Sequence, residues 1–216
     1  YFAVPENLGG AATERSPVTS MLIAEDLAYG DMGLAVAILS SIGVANALTQ
    51  WGTATQQSKY LPAFLEENTL QAAIAINEKR PLFNANELTT VALEKSDGYL
   101  LNGEKTMVPL IDQAELFLVA ASLNGKPRLF IVESGSQGVT IAKKPNMGVK
   151  AAAMGDLSLE QVSVSKDALL GGDEFDYQAF INMARLGWCA LAVGTAQAVL
   201  DYVIPYCNER VAFGEP

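Results

Sequence analysis

The sequence predicts an α+β chain of several domains, in the order helix, sheet, helix. Apolar residues recur at helical spacing over residues 16–67, alternate with polar residues over 71–164, and return to helical spacing over 175–209. We therefore predict a helical N-terminal domain at 1–70 and a central antiparallel, β-barrel-like domain at 71–172. The first helix of a second helical domain then occupies 173–216.

The N-terminal helices follow from capping residues and from one apolar run. Ser16 and Pro17 are an N-cap and a first-turn proline, so they predict a helix start. Residues 33–48 are almost wholly small or apolar. This run of about 16 residues is shorter than the roughly 20 that a bilayer core requires, so we interpret it as a buried helix rather than a membrane span. Thr53 or Thr55 caps the next helix, in which Pro62 marks a kink or a late start.

Short alternating segments predict seven strands in the central part. They are residues 71–77, 88–94, 99–106, 115–121, 128–133, 139–144 and 156–164. Turn residues at 96–98 and 124–126 stand where hairpins require them. These segments indicate a small antiparallel β domain.

Composition excludes several classes of function. The net charge is −10, from 14 basic and 24 acidic residues, which argues against nonspecific binding to nucleic acid or to anionic membranes. The chain has no histidine, which removes His-based nucleophilic pairs and His-ligated metal sites, and we predict no metal. Cys189 and Cys207 lie on one predicted helix, too far apart to pair. Two reduced packing thiols favour a cytoplasmic protein.

Several short motifs occur in an order and spacing that together resemble the acyl-CoA dehydrogenase family. They are Arg185 with Gly194, and residues 206–214, 4–10, 99–105 and 146–150. The resemblance implies that the last helix is the first helix of a C-terminal four-helix bundle. The chain begins with Tyr1 rather than Met and stops directly after an Arg-x-x-Phe-Gly motif, so we expect it to be a fragment.

The resemblance implies a FAD-dependent enzyme that oxidises a fatty or branched acyl-CoA to the 2-enoyl-CoA. A glutamate removes the α proton while the β hydride passes to the flavin, and electrons go to a separate electron-transfer acceptor. Family members are homo-oligomers, so we expect a dimer or tetramer. No catalytic residue is expected in this chain, because the usual glutamate lies beyond residue 214 and the alternative position holds Ala184.

Five residues receive site roles from the resemblance. Ile76 and Asn77 are expected to contact the flavin, and Arg210 and Phe213 to reach the FAD of a neighbouring subunit. Arg185 is expected to orient the missing base or the thioester. The alternatives are a helix-end cap or ion pair for Arg210, a core position for Phe213, and a helix-to-helix salt bridge for Arg185.

The two flavin-facing loops depart from the family pattern. Asn77 replaces a hydroxyl residue, Leu82 and Phe83 replace Gly-Ser, and Met107 and Pro109 stand where the family has tryptophan and threonine. These changes favour an alternative function, a non-catalytic and flavin-less subunit kept for assembly, with its flavin pocket filled by residues 82, 83, 107 and 109. A third alternative is a relative that uses flavin for oxygenation or another thioester reaction.

Remaining charged and apolar residues have structural interpretations beside functional ones. Glu78 is expected to make structural hydrogen bonds. Lys143, Lys144 and Lys150 either meet CoA phosphates or form a solvated strand end. A lone first bundle helix leaves apolar residues uncovered, so we expect self-association through it or coverage by the rest of the bundle. Those apolar residues are Leu186, Trp188, Leu191, Val193 and Leu200.

Overall fold

The structure is a computed structural model that describes residues 4–11, 13, 16–211 and 213. Its helices are α1 (Pro17–Gly30), α2 (Met32–Trp51), α3 (Ala54–Tyr60) and α4 (Tyr177–Glu209). Its strands are β1 (Ala72–Ala75), β2 (Val91–Glu94), β3 (Gly98–Val108), β4 (Leu116–Leu123), β5 (Lys126–Glu133), β6 (Val139–Lys143) and β7 (Gly155–Ser165). The α+β fold class is confirmed, whereas the domain boundaries at 70 and 172 stay a prediction.

The N-terminal helices begin at the predicted caps. The Ser16 side chain accepts a hydrogen bond from the Thr19 amide at 3.2 Å, which satisfies one free donor of the first turn. Thr53, rather than Thr55, caps α3 and forms a reciprocal capping box with Gln56. Pro62 lies in the 3-10 turn Leu61–Phe64 that follows α3.

Helix α2 is longer than its sequence pattern indicated. It runs for 20 residues because Asp31 caps its first turn, accepting from the Leu34 amide at 2.8 Å. Both α2 and α4 are long and apolar enough to cross a bilayer, so the length argument against α2 was wrong. Half of the apolar window of α2 is buried in the protein, and the Ser40 hydroxyl donates to the Ala72 carbonyl at 2.9 Å. A buried core helix passes the same test, and the absence of a membrane span stays a prediction.

The seven strands form one mixed sheet. Their order is β1-β4-β2-β3-β7-β6, with β5 beside β4. Strand β4 runs parallel to both β1 and β2, and the other pairs are antiparallel, so the sheet is not wholly antiparallel as predicted. The chain reaches β4 from β2 through β3, and from β1 through both β2 and β3, so each parallel pair has at least one strand between its members in the sequence. The hairpin at Asn124 and Gly125 is confirmed, with φ values of 51° and 77° that suit a two-residue turn.

Strand β4 separates two hydrophobic cores. Leu116, Leu118 and Ala120 pack with the helices in one cluster, where Leu48 is a central member. The intervening residues of β4 face a second cluster, inside the curled sheet. Alternate side chains of a strand point to opposite faces, so β4 is buried on both sides. It pairs with β1, β2 and β5, and it therefore fixes the positions of these three strands in the sheet.

Helix α4 is buried along its first turns and where it crosses α1. Leu191 packs against α1, so the expectation that it lacks a partner was wrong. Gly194 lies directly against the backbone of Glu25, an approach that only glycine permits. The other predicted uncovered residues are exposed, namely Leu186, Trp188, Val193 and Leu200.

Both cysteines of α4 are free, but neither is a packing residue. Cys189 and Cys207 are exposed. The expectation that they are core thiols was wrong, because a single helix resting on α1 buries only one narrow face and both cysteines lie outside it.

Candidate functional site

Two segments predicted from separate motifs lie side by side at one end of the sheet. The Thr106 amide donates to the Asn77 carbonyl at 2.9 Å, and the Lys105 ammonium donates to the Ile76 carbonyl at 3.2 Å. The end of β1 is thus fixed to the end of β3. We name the surface formed by Ile76, Asn77, Met107 and Pro109 the 77/107 edge. Asn77 and Met107 are exposed there, and Ile76 and Pro109 are half-buried.

A buried ion pair lies beneath the 77/107 edge. The Lys105 ammonium is 2.8 Å from a Glu78 carboxylate oxygen, and both side chains are almost wholly excluded from solvent. Glu78 also accepts from the amides of Thr89 and Thr90, at 2.8 and 2.9 Å. Every oxygen of the carboxylate is therefore satisfied, and the structural interpretation of Glu78 is confirmed.

The surroundings of this pair shift both pKa values. Burial alone would raise the pKa of Glu78, but hydrogen bonds from Lys105, Thr89 and Thr90 outweigh it and lower the pKa to about 2. Burial lowers the pKa of Lys105 to about 8, against the hydrogen bond and charge of Glu78. Near neutral pH the pair is charged, and it holds the end of β1 in place without offering a free acid or base.

A second charged cluster covers the same strands on the solvent side. The Lys79 ammonium lies 2.9 Å from Asp156 and 3.1 Å from Glu104. Asp156 is buried, and it also accepts from the Thr106 hydroxyl at 2.7 Å and pairs with Lys144 at 3.3 Å. Burial opposes the charge of Asp156, but the hydrogen bonds from Lys79, Thr106 and Lys144 lower its pKa. No sequence motif indicates this cluster, because Lys79, Glu104 and Asp156 lie far apart in the chain.

The three lysines considered for CoA phosphates differ in their partners. Lys144 pairs with Asp156, and Lys143 lies 2.5 Å from Asp112, so both charges are already matched by carboxylates. Lys150 is exposed in a short 3-10 turn. These contacts favour the solvated strand end over a phosphate site.

The loop between β1 and β2 is tied to the start of α4. The Tyr177 hydroxyl donates to the Ala85 carbonyl at 2.8 Å, and the Arg80 guanidinium donates to the carbonyls of Asn84 and Glu87. Leu82 lies in this loop with a left-handed backbone, φ 51°, and a side chain that is 99% exposed. The chain therefore has a backbone conformation suited to glycine at the position where the resemblance expects one.

The proposal that four side chains fill a flavin pocket is not supported by these positions. Leu82 points into solvent, and Met107 is 50% exposed. Phe83 stacks near Arg80, with the guanidinium carbon 5.5 Å from the ring centroid. A side chain that fills a pocket is largely buried, whereas Leu82 is almost wholly exposed and Met107 is half exposed.

The 77/107 edge fits a flavin through one of its two loops. The exposed Asn77 carboxamide can donate to or accept from a planar ring, and Met107, which is half exposed, has a left-handed backbone with φ 56°. Pro109 offers neither a hydroxyl nor an amide proton, and Leu82 adds a side chain where the family has none.

Within the described ranges, no group of three or more Cys, Asp or Glu residues could hold a metal ion.

The other three predicted site residues lie on α4 or directly after its end. Arg185 is exposed, and it forms no ion pair with another described residue. Arg210 ends α4, donates to the Tyr206 hydroxyl and lies 5.5 Å from the Tyr206 ring centroid. Phe213 is fully exposed, so the alternative of a core position was wrong. Gly214 of the same motif lies outside the described residues.

Comparison with known proteins identifies two domains of one family. The description "Acyl-CoA dehydrogenase, N-terminal domain" matches residues 2–68, and "Acyl-CoA dehydrogenase, middle domain" matches residues 73–162. A glutaryl-CoA dehydrogenase from Desulfococcus multivorans is 30% identical over 224 residues, which is 99% of this chain and 57% of that protein. The chain thus spans little more than half the length of this relative.

Solved structures agree in fold. A glutaryl-coenzyme A dehydrogenase in complex with glutaryl-CoA superposes with a TM-score of 0.86 and 28% identity, covering 100% of this chain and 57% of the other. An acyl-CoA dehydrogenase from Bacillus anthracis, solved with FAD, has a TM-score of 0.82 and 30% identity, covering 99% of this chain and 38% of the other. Two family domains in the expected order, together with this fold, show that the chain belongs to the acyl-CoA dehydrogenase family.

Proposed function

We propose that the protein containing this chain oxidises an acyl-CoA to the 2-enoyl-CoA, with FAD as the hydride acceptor and a separate electron-transfer acceptor downstream. The observation that carries the proposal is the hydrogen bond between Thr106 and Asn77, at 2.9 Å. It joins the two segments at which the family contacts flavin, so a ring placed at one segment also lies at the other. Relatives named as glutaryl-CoA and short-chain acyl-CoA dehydrogenases support this class of substrate.

Each predicted site residue has a role in this proposal. When bound, FAD supplies an acceptor for the substrate hydride. Ile76 and Asn77 hold the ring edge, Asn77 through its exposed carboxamide. Arg210 and Phe213 are exposed at the end of α4, where a second copy can meet them, and a guanidinium suits a pyrophosphate. Arg185 faces outward on α4, where it can orient the thioester. Ala184 carries no carboxylate, so the base is proposed to lie outside this chain.

The proposal includes assembly and location. Homo-oligomerisation is proposed because the neighbouring subunit's FAD is the target of Arg210 and Phe213, and because apolar residues of α4 are exposed. A cytoplasmic location is proposed from the two free thiols, Cys189 and Cys207.

A second candidate is a flavin-less subunit retained for assembly. It is favoured by Leu82 and Pro109, since one adds bulk and the other removes two hydrogen-bonding groups at the flavin-facing loops. In this case the exposed Arg210 and Phe213 serve the flavin of another subunit.

The visible absorption spectrum of the purified protein separates the two candidates. Flavin bands that bleach on addition of one acyl-CoA from a chain-length panel establish the dehydrogenase. A protein that stays colourless with excess FAD contradicts it and leaves the assembly subunit.

A matched variant pair sharpens this test. We expect Leu82→Gly to tighten FAD binding about tenfold, the factor that 1.4 kcal/mol represents, because it removes bulk and suits the left-handed backbone. Leu93→Ala removes another exposed apolar side chain, on β2, and is expected to leave the FAD dissociation constant unchanged. Equal effects of the two variants would contradict a flavin at the 77/107 edge.

A further inference from the structure

We propose that Lys79 and Asp156 are positioning residues that form a charge clasp and fix the shape of the 77/107 edge. The flavin part of this inference rests on the proposed function, whereas the clasp itself does not. Lys79 and Asp156 touch neither substrate nor cofactor in this scheme; they act through Thr106 and Asn77.

The contacts form a closed circuit around the edge. Asn77 is linked through the chain to Lys79, whose ammonium lies 2.9 Å from the Asp156 carboxylate. Asp156 accepts from the Thr106 hydroxyl at 2.7 Å, and the Thr106 amide donates to the Asn77 carbonyl at 2.9 Å. Displacing any member therefore strains the other three.

The circuit lies where the strand ladder does not hold the chain. The register between β3 and β7 shifts between Lys105 and Val108, so the ladder is interrupted at Thr106 and Met107. Met107 has a left-handed backbone there, φ 56°, which is unfavourable for a residue with a side chain. Such conformations persist only when surrounding contacts determine them. The hydrogen bonds of Thr106 supply those contacts, and Lys79 holds the Asp156 carboxylate that receives one of them.

The burial of Asp156 makes the clasp more than a surface ion pair. Its side chain is 6% exposed, while that of Lys79 is 49% exposed. A carboxylate removed from water needs partners to remain charged, and Lys79, Lys144 and Thr106 provide them. Lys79 lies two residues after Asn77, so it couples the charge of Asp156 to Asn77 through the chain, in addition to the hydrogen bonds of Thr106.

Hydrogen exchange in the flavin-free whole protein tests the clasp by itself. In Lys79→Met and Asp156→Asn, we expect the amides of residues 76–80 and 104–108 to exchange about tenfold faster than in the wild type. The double variant is expected to match the single ones, and Lys79→Arg to restore slow exchange. Lys59→Met, which removes an exposed pair with Glu133, is the control and is expected to change neither segment. Exchange within twofold of the wild type in both single variants would overturn the clasp, whether or not the protein binds flavin.

The positioning role is tested by flavin binding. Lys79→Met and Asp156→Asn are expected to weaken FAD binding about tenfold and to shift the flavin absorption maxima, with recovery in Lys79→Arg. Faster exchange with an unchanged FAD dissociation constant and spectrum would leave a purely structural contact and overturn the positioning role. If the wild type binds no FAD, the proposed function is wrong. The hydrogen-exchange result then decides by itself whether the Lys79–Asp156 clasp fixes the shape of the edge.

Discussion

Glu78 and Lys79 are neighbours in the chain, yet their ion pairs lie in opposite surroundings. The Glu78–Lys105 pair, at 2.8 Å, has side chains that are 3% and 0% exposed. The Lys79–Glu104 pair, at 3.1 Å, has side chains that are 49% and 57% exposed. Glu78 faces the core, where both partners of its pair are buried, whereas Lys79 lies in a bend at the surface and meets Glu104 in water.

The difference between the two pairs is energetic rather than geometric. In the interior, a broken pair leaves an uncompensated charge that cannot reach water, so loss of one partner is costly. At the surface, water and salt replace a lost partner at little cost. The distances differ by only a few tenths of an ångström, so exposure, not distance, ranks the contributions to stability.

The largest expected effect comes from breaking the buried pair. Lys105→Met leaves the Glu78 carboxylate buried without its cation, and we expect the free energy of unfolding to fall by about 3–5 kcal/mol. Urea denaturation followed by circular dichroism measures this. The double variant Glu78→Gln/Lys105→Met is expected to lose less than the sum of the single variants. A loss below about 1 kcal/mol in Lys105→Met would mean that the buried pair contributes no more to stability than a surface pair, and it would contradict this prediction.

The pH dependence of the free energy of unfolding gives a second test of the buried pair, through the carboxylate of Glu78. Its pKa is lowered from 4.5 to about 2 in the folded protein, so the unfolded state binds the proton more readily. The stability that it contributes is present above about pH 4.5 and is lost as the pH falls towards 2. Linkage gives a loss on the order of 3 kcal/mol. Denaturation midpoints measured across this pH range are expected to fall less steeply in Glu78→Gln, and parallel curves would contradict the assignment.

The smallest expected effect comes from the exposed pair. Glu104→Gln leaves Lys79 paired with Asp156, so we expect the free energy of unfolding to change by about 0–1 kcal/mol. The measurement is the same urea titration, with Glu133→Gln as the control for an isolated surface pair with Lys59. A loss as large as that of Lys105→Met would show that exposure does not rank these pairs.

Much of the fold follows from local patterns, and the exceptions have physical causes. Ser16, Thr53 and the Asn124-Gly125 turn act through contacts with close neighbours in the chain, so their roles can be predicted from sequence. The parallel pairing of β4 with β1 and β2 cannot, because alternation indicates a strand without indicating its neighbours. The exposure of Cys189 also escapes prediction, since it depends on which face of α4 meets α1.

The candidate site also has features that can be predicted from the sequence and features that cannot. The adjacency of Asn77 and Met107 follows from the order of the family motifs. The Lys79–Asp156 contact joins residues far apart in sequence, and neither residue type indicates the other. Leucine itself does not indicate the left-handed backbone at residue 82, because it is rare in that conformation; only the glycine that the family has there does. The roles of Arg185, Arg210 and Phe213 stay predictions.

The contact between Gly194 and the Glu25 backbone has a consequence for the far end of α4. It sets the distance between the axes of α1 and α4 at their crossing. Arg210 lies about 24 Å further along the helix, at 1.5 Å per residue. A methyl group at position 194 would tilt the helix, and a tilt of about 5° over that length would displace the guanidinium by about 2 Å. A residue without a side chain thus determines how far the arginine at the end of the helix can reach.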